Sequence, residues 1–261
     1  LFGRWPSRLW KLMPRYFQRV EKKILWQADT ILTSCSTLGD DLRDLVPESK
    51  IVQVEDVPIQ PTFPGRTIER ENFLERFSGP TSAVVVCCIM QGNRLGMRKL
   101  LMAVRKVVEA IPSASFFFKG VLPAEAKSMA TNLDIFDRCS FLAPDDAEDF
   151  VAALDFADVT LLVPEVETRY MHPEVFTLLY SPAPLIVVQE GDYASVLTEA
   201  NSVSVLSSAE SIAEGLLRVI REPLLSMGIA TEGQQLIADH YSYSSFKHKI
   251  RMVYHEVLRK E

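Results

Sequence analysis

Five ionisable side chains that could bind a polar ligand are grouped within residues 159–188. They stand between two apolar runs, 159–163 and 185–188, and are Glu165, Glu167, Arg169, His172 and Glu174. In an open parallel sheet, ligands bind at the carboxyl ends of the strands, where this loop is expected to lie. Carboxylates accept hydrogen bonds from the hydroxyl groups of a sugar or a ribose. The stretch therefore predicts either a site for a hydroxyl-rich or anionic ligand, or a solvated acidic loop.

A second candidate site is the turn at residues 92–96, which reads Gly92, Asn93, Arg94, Leu95, Gly96. It follows an apolar run and precedes an amphipathic helical pattern. Glycine allows close backbone approach to a ligand, and the N–H groups that begin a helix bind phosphate. Arg94 and Arg98 would add charge-assisted hydrogen bonds to a diphosphate. The spacing is neither a P-loop nor a G-x-G-x-x-G fingerprint, so an ordinary tight turn is the alternative.

Lys119 and Gly120 follow the next predicted strand, at the same edge of a parallel sheet. The lysine would contact a phosphate or a base there, or remain solvated. The sequence contains no G-x-S-x-G, H-E-x-x-H or C-x-x-C motif, and His172 has no second ligand at metal-binding spacing. Cys87 and Cys88 fall in an apolar run, as small buried hydrophobic residues do. The sequence therefore supports neither a hydrolase nor a metalloenzyme, and we expect no metal or other cofactor.

Composition and charge are those of a globular protein with one basic end. The 261 residues are 48% hydrophobic and 24% charged, with a net charge of −6. Residues 1–23 carry +6, so the remainder carries −12, and nothing there indicates nucleic-acid binding. No apolar run is long enough to span a bilayer, and the N-terminus lacks a signal-peptide core. Cysteine usage favours a reducing compartment, so we expect a cytoplasmic protein.

The basic end shows helical periodicity over residues 8–27. Tryptophans at positions 5 and 10 stand on one side of this pattern, with arginines on the other. Residues 4–25 are therefore expected either to lie on the cytoplasmic face of a membrane or to form a surface helix packed on a core.

Strand-like and helix-like patterns alternate along the chain. The predicted strands are 30–33, 51–54, 83–90, 115–118, 140–142, 159–163, 185–188 and 203–206. The predicted helices are 8–27, 36–44, a polar helix at 67–77, 97–110, 123–131, one starting at 144–146, 174–180 and 209–221. Ser36 is expected to cap one helix and Asp145 with Glu148 another, while residues 56–65 are a proline-rich linker. This alternation predicts a doubly wound α/β fold with a parallel sheet.

The order of these segments resembles group 1, retaining glycosyltransferases of the GT-B fold. ILWQADTILTSCSTLGDDLRDLVPESKIVQVEDVPIQPTF is similar to the end of that family's N-terminal domain and its linker. AVVVCCIMQGNRLGMRKLLMAVRKVVEAIPSASFFFKG resembles the first strand, glycine turn, helix and second strand of the C-terminal domain. FLAPDDAEDFVAALDFADVTLLVPEVETRYMHPEVFTLLYSPAPLIVV resembles that domain's core, and HYSYSSFKHKIRMVYHEVL its closing helices.

The resemblance implies a domain organisation, a Rossmann-like fold and a function. Residues 1–63 would be the remnant of a truncated acceptor-side domain, 64–235 the nucleotide-sugar-binding domain and 236–261 a crossover helix. The activity would be sugar transfer from a nucleotide-diphosphate sugar to a hydroxyl of a glycan or lipid-linked acceptor, as in polysaccharide biosynthesis. The donor would contact Gly92, Asn93, Arg94, Gly96, Lys119, Glu167, Arg169 and Glu174.

Several positions depart from the family pattern. Leu95 precedes Gly96 where the family has lysine, and the two glutamates of the family's E-x7-E pair fall on Arg169 and Thr177. Glu167 and Glu174 are spaced E-x6-E. Three hypotheses follow: a divergent glycosyltransferase, a degenerate relative that acts as a binding partner, or an unrelated nucleotide-binding α/β domain.

Overall fold

The chain divides into two compact units in a computed structural model. The small unit comprises Leu1–Asp56 and Tyr243–Glu261, and the sheet unit comprises Val57–Ser242. The structure describes residues 13–55, 70–76, 84–91, 94–122, 124–142, 147–164, 173–188 and 196–259. Across these ranges, none of the helices combines the length and the apolar character that a membrane crossing requires.

The described part of the chain contains ten α-helices and eight strands. In chain order they are α1 (Met13–Gln27), β1 (Ile31–Thr33), α2 (Ser36–Arg43), β2 (Ile51–Gln53), α3 (Arg70–Arg76), β3 (Val85–Gln91), α4 (Arg94–Ala110), β4 (Ser115–Val121), α5 (Ala126–Asn132), β5 (Cys139–Phe141), α6 (Ala147–Asp155), β6 (Val159–Val163), α7 (Glu174–Tyr180), β7 (Leu185–Val188), β8 (Val203–Val205), α8 (Ala209–Arg221), α9 (Pro223–His240) and α10 (Tyr243–Leu258). Short 3₁₀ turns precede β2 and β5, at Glu48–Lys50 and Phe136–Arg138.

The small unit is built from the two ends of the chain. Strands β1 and β2 pair in parallel, with Ile31 opposite Ile51. The Lys50 ammonium group donates to the carbonyl oxygens of Trp26 and Ala28, at 2.9 and 2.7 Å, and so satisfies backbone acceptors at the end of α1. Near the other end of the chain, Lys249 of α10 forms an ion pair with the half-buried Glu55, 194 residues away in sequence.

The sheet unit has one parallel six-stranded sheet in the order β5-β4-β3-β6-β7-β8. One face packs against α4, α5 and α8, and the other against α3, α6, α7 and α9. Every residue of β6 and β7 is buried, as expected for parallel strands covered on both faces. The predicted doubly wound α/β fold is confirmed.

Two predicted boundaries beside the candidate site are wrong. Helix α4 begins at Arg94 rather than at residue 97, so Gly96 lies in its first turn instead of in the preceding loop. Strand β4 continues to Val121, because its register with β3 runs on through Lys119 and Gly120. The connection from β3 to α4 is consequently only two residues long.

Two further local predictions are corrected by burial and by cap geometry. The helix expected to be polar is α3, and its Phe73 and Leu74 are fully buried; the Phe73 ring centroid lies 5.1 Å from that of Phe117. Ser36 is the first residue of α2 rather than its cap, since Cys35 occupies the N-cap position and makes no side-chain cap hydrogen bond. The predicted capping box at Asp145 and the linker at residues 56–65 lie outside the described residues.

Candidate functional site

In the sheet unit, the direction in which successive strands are added reverses between β3 and β6, which makes this the switch point of the sheet. Strand β3 leads through α4 to β4 on one side, whereas β6, on the other side of β3, leads through α7 to β7. In doubly wound sheets the ligand crevice lies at this point, outside the carboxyl ends of the strands. Met90 of β3 pairs with Val163 of β6, so these two strands end side by side. Both segments predicted to bind a ligand therefore leave the sheet at the switch point.

The predicted site residues are divided between described and undescribed parts of the chain. Gly92, Asn93, Glu167 and Arg169 lie outside the described residues, as do Glu165 and His172. Arg94 is exposed as the first residue of α4, and Gly96 is partly buried in the same turn. Lys119 lies on β4 and Glu174 begins α7. The strand pairing thus brings the starts of both loops together. Of the eight predicted donor residues, the structure describes the positions of four.

Lys119 is held by an aromatic ring rather than standing solvated at a strand end. It pairs with Ile89 in the sheet register and is half-buried. Its Nζ atom lies 5.0 Å from the centroid of the Phe150 ring of α6, within the range of a cation–π contact. Sequence reasoning missed Phe150, because no local pattern connects a residue of α6 with the end of β4. The contact fixes a positive charge near the carboxyl ends of the central strands.

Glu174 stands at the start of a helix whose packing fixes its position. The five residues that follow it, from Val175 to Leu179, are all buried. The Phe176 ring centroid lies 4.7 Å from that of Tyr241, and a Cβ added at Gly233 of α9 would lie 3.1 Å from the Leu179 carbonyl oxygen. Glu174 itself is half-buried, so the helix supports a carboxylate at the rim of the crevice.

Cys87 and Cys88 are buried thiols in the core, as predicted, and Cys35 and Cys139 are buried as well. All four are free. Burial raises the pKa of Cys87 to about 12, an effect that the charge of Lys119 partly offsets, and burial also raises the pKa of Cys139 to about 12. Such thiols remain protonated and are poor nucleophiles. Within the described ranges no three His, Cys, Asp or Glu side chains are grouped so that they could hold a metal ion.

Comparison with known proteins identifies the fold but gives no sequence relative. Neither a protein-family model nor a curated protein sequence matches the chain. Among solved structures it is similar to a glycosyltransferase from Rickettsia africae, with a TM-score of 0.73, 14% identity and coverage of 94% of this chain and 68% of that one.

The chain is also similar to two further solved structures. Sucrose-phosphate synthase from Thermosynechococcus elongatus has a TM-score of 0.67 and 14% identity, with coverage of 95% of this chain and 63% of that one. HepE from Anabaena, solved in complex with UDP-glucose, has a TM-score of 0.68 and 12% identity, with coverage of 93% and 69%. The chain thus spans less than two thirds of the sucrose-phosphate synthase. The present chain has the GT-B glycosyltransferase fold, so the resemblance found in the sequence is confirmed at the level of fold.

Proposed function

We propose that the protein transfers a sugar from a nucleotide-diphosphate donor to a hydroxyl group of a glycan or lipid-linked acceptor. The pairing of the ends of β3 and β6, at the point where the winding of the sheet reverses, is the observation that carries this proposal. Two loops with glycine, basic and acidic residues leave the sheet at this point, as donor binding requires. The similarity in fold to HepE, which was solved with UDP-glucose, supports the same class of donor.

In the proposed mechanism the main chemical task is to stabilise the leaving diphosphate. Backbone groups of Gly92, Asn93 and Gly96 and the guanidinium group of Arg94 would bind its phosphate oxygens, with Lys119 adding charge from β4. Positive charge that is already in place stabilises the charge that develops as the glycosidic bond breaks. Glu167, Arg169 and Glu174 would bind sugar or ribose hydroxyls. We propose a retaining reaction with no metal.

We also propose that the reaction takes place at the surface of a membrane. Helix α1, Met13–Gln27, contains the second half of the basic segment at residues 4–25. Cationic amphipathic helices bind anionic membrane surfaces. A peripheral position on the cytoplasmic membrane face would suit a lipid-linked acceptor. Liposome binding that is lost at high salt would support this placement.

One observation favours a second candidate, a non-catalytic relative that binds a nucleotide or a partner protein. Thr177, which stands where the family has the second glutamate of its pair, is only 7% exposed within α7. A buried threonine cannot supply a carboxylate to a sugar. In this alternative the protein keeps the crevice but does not catalyse sugar transfer.

Thermal unfolding with UDP or GDP tests both candidates. A ligand that binds only the native state stabilises it by about 2.7 kcal/mol at a hundred times its dissociation constant, so the melting temperature should rise. Arg94→Ala should abolish the rise. Arg105→Ala is the matched control, because Arg105 lies on the same helix in an ion pair with Glu109.

The outcomes separate the hypotheses. No rise with any common nucleotide at millimolar concentration would contradict the transferase proposal. A rise without release of sugar from the nucleotide-sugar would favour the non-catalytic candidate.

A further inference from the structure

A groove runs between α4 and α5 on the face of the sheet that these helices cover. Its volume is about 740 Å³. Its lining includes Arg94, Leu95, Arg98 and Met102 from α4, and Met129 and Leu133 from the end of α5. The donor crevice described above opens at the strand ends, whereas most of this groove follows the outer surface of α4. Among the residues that the structure describes, only Arg94 belongs to both sites.

The two arginines of the groove differ from the other cations of α4. Within the described part of the chain, both are exposed and neither makes an ion pair. The remaining three cations of the helix have polar partners: Lys99 with Ser207, Arg105 with Glu109 and Lys106 with Glu210. Two guanidinium groups one helical turn apart are thus available to an anion, on a chain that is acidic beyond residue 23.

Apart from the two arginines and Asn132, the described residues that line the groove are apolar, and the groove is partly open to solvent. Leu95 is 62% exposed and Met102 is 39% exposed. Met129 and Leu133 pack on the core below and form the other wall. Methionine side chains are flexible and polarisable, so they adapt to apolar ligands of irregular shape.

Charge and apolar surface are separated along the groove. Positions 94, 98 and 102 recur every fourth residue and therefore follow one face of α4. The two cations come first, with Leu95 between them in sequence, and the mainly apolar surface of Met102, Met129 and Leu133, which includes one polar residue, Asn132, follows. This order matches a ligand with an anionic head and one apolar tail. An amphipathic partner helix would instead need an apolar stripe along the whole length of the groove, with charged residues at its sides.

We propose that the groove binds a single-chain lipid phosphate. The phosphate group would lie between Arg94 and Arg98, where guanidinium groups form charge-assisted hydrogen bonds with phosphate oxygens. The alkyl chain would lie against Met102, Met129 and Leu133. The site shares Arg94 with the proposed diphosphate site, so a nucleotide and a lipid phosphate would compete for this residue, and the contacts of the alkyl chain distinguish the two ligands.

Calorimetric titration of the full chain with dodecyl phosphate, below its critical micelle concentration, tests the proposal. Arg98→Gln should weaken binding about tenfold, as expected for the loss of one charge-assisted contact. Arg105→Gln should bind like the unchanged protein, since it removes the same charge from the same helix outside the groove. Equal affinities of the two variants would overturn the proposal.

The apolar part of the site has its own test. Affinity should rise from hexyl to dodecyl phosphate, by up to about fourfold for each methylene that becomes buried, and Met102→Ser should reduce this rise. Inorganic phosphate that binds as tightly as dodecyl phosphate would contradict a site for the chain. Dodecyl maltoside that binds as tightly would contradict a site for the phosphate.

Other occupants of the groove give different results. An acidic amphipathic peptide that binds more tightly than dodecyl phosphate would replace the lipid with a partner helix. A concentration-dependent dimer that is lost in Arg98→Gln would replace it with a second copy of the chain. UDP titration of Met102→Ser keeps the two ligands apart: UDP has no alkyl chain, so its affinity should not change, and a loss of UDP affinity in this variant would contradict a separate site for the chain.

Discussion

Gly120 is the residue whose replacement the backbone of the central strands tolerates least. Its φ is +117°, a conformation that side chains with a Cβ rarely adopt. A Cβ at this position would lie 2.0 Å from the Met90 carbonyl oxygen of the neighbouring strand. Glycine is therefore required here for both conformation and space, next to Lys119 at the edge of the crevice.

We expect Gly120→Ala to lower the free energy of unfolding by more than about 2 kcal/mol, because strain and a backbone clash add together. Gly228→Ala is the control: a Cβ there meets nothing within 4 Å, and alanine in a helix is favoured by about 0.5–1 kcal/mol. Urea unfolding of both variants measures the difference. A Gly120→Ala midpoint equal to that of the unchanged protein would contradict the assigned backbone conformation.

At this scale the sequence predicts residue types better than their surroundings. The position of Lys119 after an apolar run suggested a strand-end charge, and the burial of Cys87 and Cys88 was predicted from the run that contains them. The ring of Phe150 beneath Lys119 could not be predicted, because the contact depends on how α6 packs across the sheet. The burial of Phe73 was missed since its neighbours in sequence are polar.

At the scale of elements, α8 shows what a serine at a helix start contributes. Ser208 is the N-cap, and its hydroxyl accepts a hydrogen bond from the Ser211 N–H at 3.2 Å. The Ser211 hydroxyl accepts in turn from the Leu206 N–H at 2.9 Å. The first turn of α8 is thereby joined to the end of the last strand.

Ser208→Ala should cost about 1 kcal/mol of unfolding free energy, the usual effect of removing an N-cap acceptor. Ser36→Ala should change stability by less than about 0.5 kcal/mol, since Cys35 rather than Ser36 holds the cap position of α2. Hydrogen exchange at the first turns of both helices reports each effect locally. Equal losses of protection would restore Ser36 as a functional cap.

Element prediction succeeds where the pattern is strong and fails at turns. Strand β6 and helices α7 and α8 have the predicted bounds, because their apolar periodicity is continuous. Helix α4 begins three residues early because Leu95 and Gly96 resemble a loop in sequence, although an exposed leucine and a glycine are tolerated in a first turn. The sheet order was not predicted, because the rule that parallel connections have one hand does not tell where the winding reverses.

At the scale of the whole molecule, the small unit combines both ends of the chain. The sequence resemblance predicted the closing helices, but the pairing of Lys249 with Glu55 could not be predicted from any local pattern. The residues between them form the sheet unit, which has its own core on both faces of the sheet.

Removal of residues 243–261 should therefore destabilise the small unit selectively. Hydrogen exchange should become faster in β1 and β2, while β3 and β6 keep their protection. Lys249→Met in the full chain is the milder comparison and should give a smaller change in the same strands. Unchanged exchange in β1 and β2 after truncation would show that α10 does not support them.

The ion pair between Glu55 and Lys249 also has a consequence for biosynthesis. The ribosome releases β1 and β2 long before α10, because nearly the entire sheet unit is translated in between. Domains fold as they emerge, from the N-terminal side first. Here β1 and β2 are translated before α10, so this part of the nascent chain lacks the contact with Lys249 and is open to chaperones until α10 has been translated.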